Sequence, residues 1–213
     1  MKTIYQILWE NKDLNFHAWT DALRDYEVTA DVVDKLSGVP QGTHYHPEFD
    51  ALVHTYWVTR AAFKSGWHDL VEICFLHDIG KWKDTNIGKD RIYHFGHAKT
   101  SHDYVSNIDD KFFDSDASVL RYVILHHMDK VGENSTLDHL DVISRFQDCD
   151  KVHSKDLYLN TVTEDELREN REKERKLYWN QENSDKTVYV MIGPSGSGKS
   201  TYARKLFDDK WIV

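Results

Sequence analysis

Histidine and aspartate recur along this chain in an order that few folds can serve: His54, the pair His77 and Asp78, His97, the pair His126 and His127, and finally Asp150. Successive members lie about 20 to 29 residues apart, and each falls on or at the end of a segment whose apolar residues repeat with helical spacing. Helices of this length, joined by short loops, can turn one position from each toward a shared centre. A mainly α fold is therefore expected. The aromatic content agrees, since 7 Trp, 11 Tyr and 9 Phe against only 10 Gly and 3 Pro suit a helix-rich core better than a many-turned β-sandwich.

The periodicity predicts two short helices between Leu14 and Leu36, stopped by Ser37, Gly38 and Pro40. Pro47 reads as an N-terminal residue of the next helix, which turns Phe49, Leu52, Val53, Tyr56 and Trp57 inward and carries His54. Another helix is expected from Gly66 to Leu76, closed by His77 and Asp78, then a polar loop from Lys83 to Phe95. Further helices follow from Gly96 to Ile108, Ala117 to Met128 and Leu137 to Val152. Thr163 and Glu166 form a capping box that opens a charged, solvated connecting helix through Lys176.

Charge and composition narrow the function classes. A net charge of -9, from 27 basic and 36 acidic side chains, disfavours a broad grip on nucleic-acid backbone and leaves only local contact with an end or a nucleotide. The two cysteines, Cys74 and Cys149, sit in helical stretches with no leader-like segment before them, which sets the expectation of a reduced, cytoplasmic protein. No apolar run approaches the roughly 20 residues of a membrane span.

Imidazole and carboxylate donors without thiolates point to one or two divalent ions, Mn, Fe, Co, Ni or Mg with Zn also compatible, and not to a structural zinc site. His17, His44, His68, His94, His102, His139 and His153 read instead as hydrogen-bonded core or boundary residues, and Trp57, Trp67 and Trp82 as core rather than base-stacking surfaces.

His54, the stretch His77 to Lys81 reading HDIGK, Gly96 with His97, His126 with His127, and Asp150 together resemble the HD phosphohydrolase superfamily, over roughly residues 15 to 155. The lead-in from His46 to Thr55 is similar to the segment around the first histidine in HD domains attached to tRNA-processing nucleotidyltransferases. The resemblance implies an all-α HD domain in which His54, His77, Asp78 and Asp150 bind one metal. Asp78, His97 and one of His126 or His127 would bind a second. Asp148, two residues before Asp150, and the weaker Asp141 stay open as alternatives for the last ligand. Asp78 and Lys81 are the expected catalytic pair, with Lys81 contacting a substrate phosphate or fixing Asp78, and His46 in a similar supporting place.

A second motif closes the sequence. Gly193 to Ser200 reads GPSGSGKS after the apolar run Val188 to Ile192, which matches a phosphate loop between strand and helix. Gly193, Ser195, Gly196, Ser197, Gly198, Lys199, Ser200 and Thr201 would cradle ATP with Mg. The expected organisation is an HD domain over 1–158, a charged linker over 159–185 and the start of an α/β kinase domain over 186–213, too short there for a whole kinase. That combination resembles fusions of an HD phosphohydrolase with a polynucleotide kinase. It implies removal of 2′- or 3′-terminal or 2′,3′-cyclic phosphates from nucleic-acid ends, RNA foremost. Hydrolysis of free nucleoside monophosphates, a non-catalytic HD binding module and an HD-fold oxygenase are the competing readings.

Overall fold

Several helices begin where the sequence offers a capping side chain. A computed structural model describes residues 2–132 and 137–182, and the phosphate-loop expectation from Gly193 to Thr201 lies outside them. Helix α1 (Ile4–Glu10) opens with a reciprocal capping box between Thr3 and Gln6. The sequence pattern had not singled it out. Asn15 caps α2 (Phe16–Arg24), and α3 (Glu27–Leu36) follows. Asp50 caps α4 (Ala51–Lys64), accepting from the N–H groups of Leu52 and Val53 at 2.8 and 3.1 Å. The start expected at Pro47 is therefore corrected by four residues: Phe49 sits at φ 65°, which breaks any helix there.

The expected helix from Gly66 divides into a 3-10 turn, His68–Leu70, and α5 (Val71–Leu76). Every residue of α5 is buried, Glu72 included, and it packs against α4, α1 and the later α8. Glu72 is satisfied by backbone N–H groups of Tyr5, Asp114 and Ser115 at 2.9–3.1 Å, which ties three chain segments together. Around α5 the core contains Trp19, Phe75, Leu76 and Phe146, each contributing about 1.5–3 kcal/mol by burial.

After the turn at His77 to Gly80 comes α6 (Lys81–Asp84), then a two-stranded antiparallel hairpin, β1 (Asn86–Ile87) and β2 (Ile92–Tyr93), where a loop was expected. Gly80 is required here: a Cβ would lie 2.3 Å from His97 O and 2.7 Å from Ser101 N. That close approach lets the turn press onto α7 (His97–Ser106), with Gly80 N–H donating to Ser101 Oγ at 2.8 Å. Helix α8 (Ala117–His126) packs directly against α7.

The single helix expected from Leu137 to Val152 is corrected to α9 (Leu140–Asp148), a π-helical turn Cys149–His153 and α10 (Ser154–Leu159). Asp150 lies in this wider turn, with Oδ1 2.8 Å from His54 Nε2 of α4. The charged helix α11 (Glu164–Glu182) has the expected Thr163–Glu166 capping box. It also docks: Asn170 donates to Pro47 O at 3.0 Å and Glu174 accepts from Thr43 N at 3.1 Å. Trp57 and Trp67 are half-buried against the core, but Trp82 is 46% exposed beside Lys35, which corrects its expected core placement. The fold is mainly α. Among the described residues no helix is long and apolar enough to cross a membrane.

Candidate metal centre

Five chain segments converge on Asp78. His54 comes from the first turn of α4, His77 and Asp78 from the turn after α5, His97 from the start of α7, His127 from the end of α8 and Asp150 from the π-helical turn. The two oxygens of Asp78 face different neighbours. Oδ1 lies 3.3 Å from His97 Nε2 and 4.0 Å from His127 Nε2; Oδ2 lies 3.1 Å from His77 Nε2 and 3.7 Å from His54 Nε2. Asp150 Oδ1 is 2.8 Å from His54 Nε2 and 3.7 Å from His77 Nε2. The donor atoms of His54, His77 and Asp150 form one compact group, and those of Asp78, His97 and His127 a second.

Three rings are locked in one tautomer by the backbone of their own segments. His77, His97 and His127 each donate from Nδ1 to the carbonyl three residues earlier, Cys74, His94 and Ile124, at 2.9, 2.6 and 2.6 Å. Their Nε2 lone pairs therefore point into the centre. His97 Nε2 and His127 Nε2 face each other at 3.1 Å, acceptor against acceptor. His77 Nε2 is likewise buried without a hydrogen-bond partner. Acceptors converging in a dry interior repel unless a cation stands among them, and imidazole with carboxylate is a suitable donor set for a divalent metal.

His54 is fixed differently. Its Nδ1 donates to Glu48 Oε1 at 2.5 Å, the arrangement in which a carboxylate orients a metal-binding imidazole. Burial disfavours its protonation, but the charge on Glu48 and the bonds to Asp150 and Glu48 prevail and push the His54 pKa up to about 10. Burial opposes ionisation of Glu48 too, yet His54 and His46 bring it down to about 2. His127 goes the other way: burial and the neighbouring His77 push it down to about 3, so it stays a neutral donor. Burial raises Asp78, but His77 and Lys81 outweigh it and hold the carboxyl well below its usual range. Lys81 Nζ pairs with Asp78 Oδ2 at 2.6 Å.

Of the residues picked from sequence, His54, His77, Asp78, Lys81, His97, His127 and Asp150 are brought together. His126 is not: it lies on the outer side of α8, where Nδ1 meets Asp129 Oδ2 at 2.7 Å and the ring packs 4.4 Å from Tyr122. Asp148 and Asp141 are exposed, away from the donor groups. His46 stands 3.4 Å from Glu48 Oε1, at the edge. The sequence reading missed Glu48. Its one sequence signal is an acid next to His46, Pro47 and Phe49, six residues before His54.

Comparison with known proteins gives short, partial likenesses. The chain is 38% identical over 81 residues to a multifunctional CCA protein of Thioalkalivibrio sulfidiphilus, which is 38% of this chain and 19% of the relative. It is 29% identical over 122 residues to that of Methylobacillus flagellatus, covering 56% of this chain and 29% of the relative. With that of Burkholderia vietnamiensis it shares 45% identity over 65 residues, 29% of this chain and 16% of the relative. The chain thus matches less than a third of each of these curated relatives. No family model matches it, and no solved structure does. These relatives overturn the expected end-healing activity. They are named for a CCA function, a different activity from removing terminal phosphates in partnership with a 5′-kinase.

Proposed function

We propose that the helical domain is a divalent-metal-dependent hydrolase of phosphate esters, of the HD type. The observation that carries this reading is the division of Asp78, whose two oxygens address two separate groups of inward-facing donors. His54, His77, Asp78 and Asp150 would hold one ion, and Asp78, His97 and His127 the other. Bound there, such ions lower the pKa of a water toward neutrality and offset charge on a phosphoryl group.

The protein's own residues do the positioning. Asp78, ionised by its neighbours, fixes the spacing of the two groups, while Glu48 keeps the His54 ring turned inward. Three backbone carbonyls keep the remaining imidazoles in the tautomer that offers Nε2. Lys81, only 4% exposed, places a positive charge beside Asp78, where it can face a phosphoryl oxygen. The similarity to multifunctional CCA proteins supports the reading, since the segment His46 to Thr55 resembles HD domains attached to tRNA-processing nucleotidyltransferases.

The test is hydrolysis of p-nitrophenyl phosphate and bis(p-nitrophenyl) phosphate by metal-stripped protein, with Mn²⁺, Co²⁺, Ni²⁺ or Mg²⁺ restored singly. Turnover that needs an added metal and disappears in Asp78→Ala is expected. Turnover in neither substrate with any metal would refute the proposal.

A further inference from the structure

A cavity of about 560 Å³ opens between the start of α2, the first turns of α4, the end of α10 and the first half of α11. That volume is in the range of small-molecule sites, about 300–1,000 Å³. None of the donor residues of the metal centre lines it. Its apolar wall is mostly aromatic: Phe16, Phe49, Trp57 and Tyr158 surround Val53, with the Trp57 and Tyr158 rings edge to face at 6.1 Å. Phe49 stands at φ 65°, a conformation that a bulky residue rarely adopts and that glycine would take without strain. The strain is borne by a residue of the cavity wall.

The polar part of the lining is negative. Asp50 accepts from the backbone N–H groups of Gly38, Leu52 and Val53 at 2.7–3.1 Å, and Glu166 from the N–H and hydroxyl of Thr163, both at 2.8 Å. These donors are neutral, so they satisfy the carboxylates without cancelling their charge. Lys173 is the lysine of the lining, and it is paired with Glu169 at 3.2 Å. Glu48, 7% exposed, adds a further carboxylate. The field reaches the aromatic wall: burial, with the charges of Glu48 and Glu166, pushes the Tyr158 hydroxyl up to about 12. Aromatic faces and carboxylates in one cavity are complementary to the same kind of ligand, because ring quadrupoles and negative charge both attract a cation.

We infer that this cavity binds a small organic ammonium ion with an apolar body, the rings of Phe16, Trp57 and Tyr158 enclosing the body and Glu48, Asp50 and Glu166 supplying the opposing charge. The site does not depend on the chemistry of the metal centre.

The experiment measures binding to the full chain, by ligand-observed NMR titration, of phenethylamine, a cation at neutral pH, and of phenethyl alcohol, its uncharged counterpart of similar shape. Phenethylamine should bind with a Kd of about 1 mM or tighter, and at least about tenfold more tightly than the alcohol. Trp57→Leu should weaken the amine about tenfold. Phe49→Gly, which removes a ring and relieves the backbone, should weaken it about threefold and serves if the leucine variant does not fold. Glu166→Gln keeps the cap of α11, since glutamine suits that position of a capping box, and removes one charge. It should weaken the amine about two- to threefold and leave the alcohol unchanged. Equal affinity for the two probes would overturn the ammonium class. Absence of amine binding, or binding unaltered in both aromatic variants, would overturn the site. The second of these is what attraction to a chain of net charge -9 would give by itself.

Discussion

The two halves of the centre are built from similar ligands but held in different ways. Around His97 and His127 the rings are fixed by carbonyls three residues back, and the half contains one carboxylate, Asp78, shared with its neighbour. Around His54 and His77 there are three carboxylates, Asp78, Glu48 and, from 96 residues beyond His54, Asp150. Burial and the neighbouring His77 keep His127 unprotonated in one half; in the other, Glu48 and Asp150 overcome burial and His54 holds a proton tightly. A cation feels the same field as that proton. The His54 half should therefore bind the tighter ion and the His127 half the looser one.

The largest effect is expected from the residue the halves share. Asp78→Ala should abolish two-ion binding and lower phosphate-ester hydrolysis by at least about a thousandfold, because several kcal/mol of charge stabilisation go with the ions. His127→Ala should remove the looser ion and leave the tighter one, visible as a change from two ions to one in metal analysis. Glu48→Gln should do the reverse, weakening the tighter site by about 10- to 100-fold through loss of the carboxylate that orients His54. If both variants weakened both ions equally, the halves would not be distinct.

Acidity sharpens the same contrast. In metal-free protein His54 keeps its proton up to about pH 10 against an ordinary value of 6.5, so its stabilising contribution is complete below 6.5 and lost as pH rises toward 10. His127 and His94, at about 3 against 6.5, contribute fully above 6.5 and lose that contribution as pH falls toward 3. Thermal melts of the metal-free chain should peak near pH 6.5 on account of these groups. Added metal should stabilise more as pH rises, since it must displace the His54 proton. The smallest effect is expected from His126→Ala, which should change metal content and hydrolysis by less than about twofold, because its exposed pairing with Asp129 contributes little.

What could be read from sequence follows from which residues obey a local period. Leu120, Val123 and Ile124 are buried on one stripe of α8, and His127 continues it at the next turn, whereas His126 shares a stripe with Tyr122. That phase decides between adjacent histidines that residue type alone left open. Asp150 similarly extends the stripe of Ile143 and Phe146, while Asp148 falls outside it. The departures arise from contacts that no local pattern records. Phe49 at positive φ delays α4, and the π-helical turn at Cys149 interrupts an otherwise continuous helical pattern. Gln41 meets Lys81 across 40 residues and Glu174 reaches Thr43 across 131, so neither pairing has a period to betray it.

The most direct test is a calorimetric titration of metal-stripped protein with Mn²⁺ in two buffers of different protonation enthalpy. Two ions per chain are expected, the tighter one releasing a proton from His54 and bound about 10- to 100-fold more weakly in Glu48→Gln, the looser one lost with His127→Ala. A single ion bound without proton release, and retained in Asp78→Ala, would contradict a centre divided across Asp78.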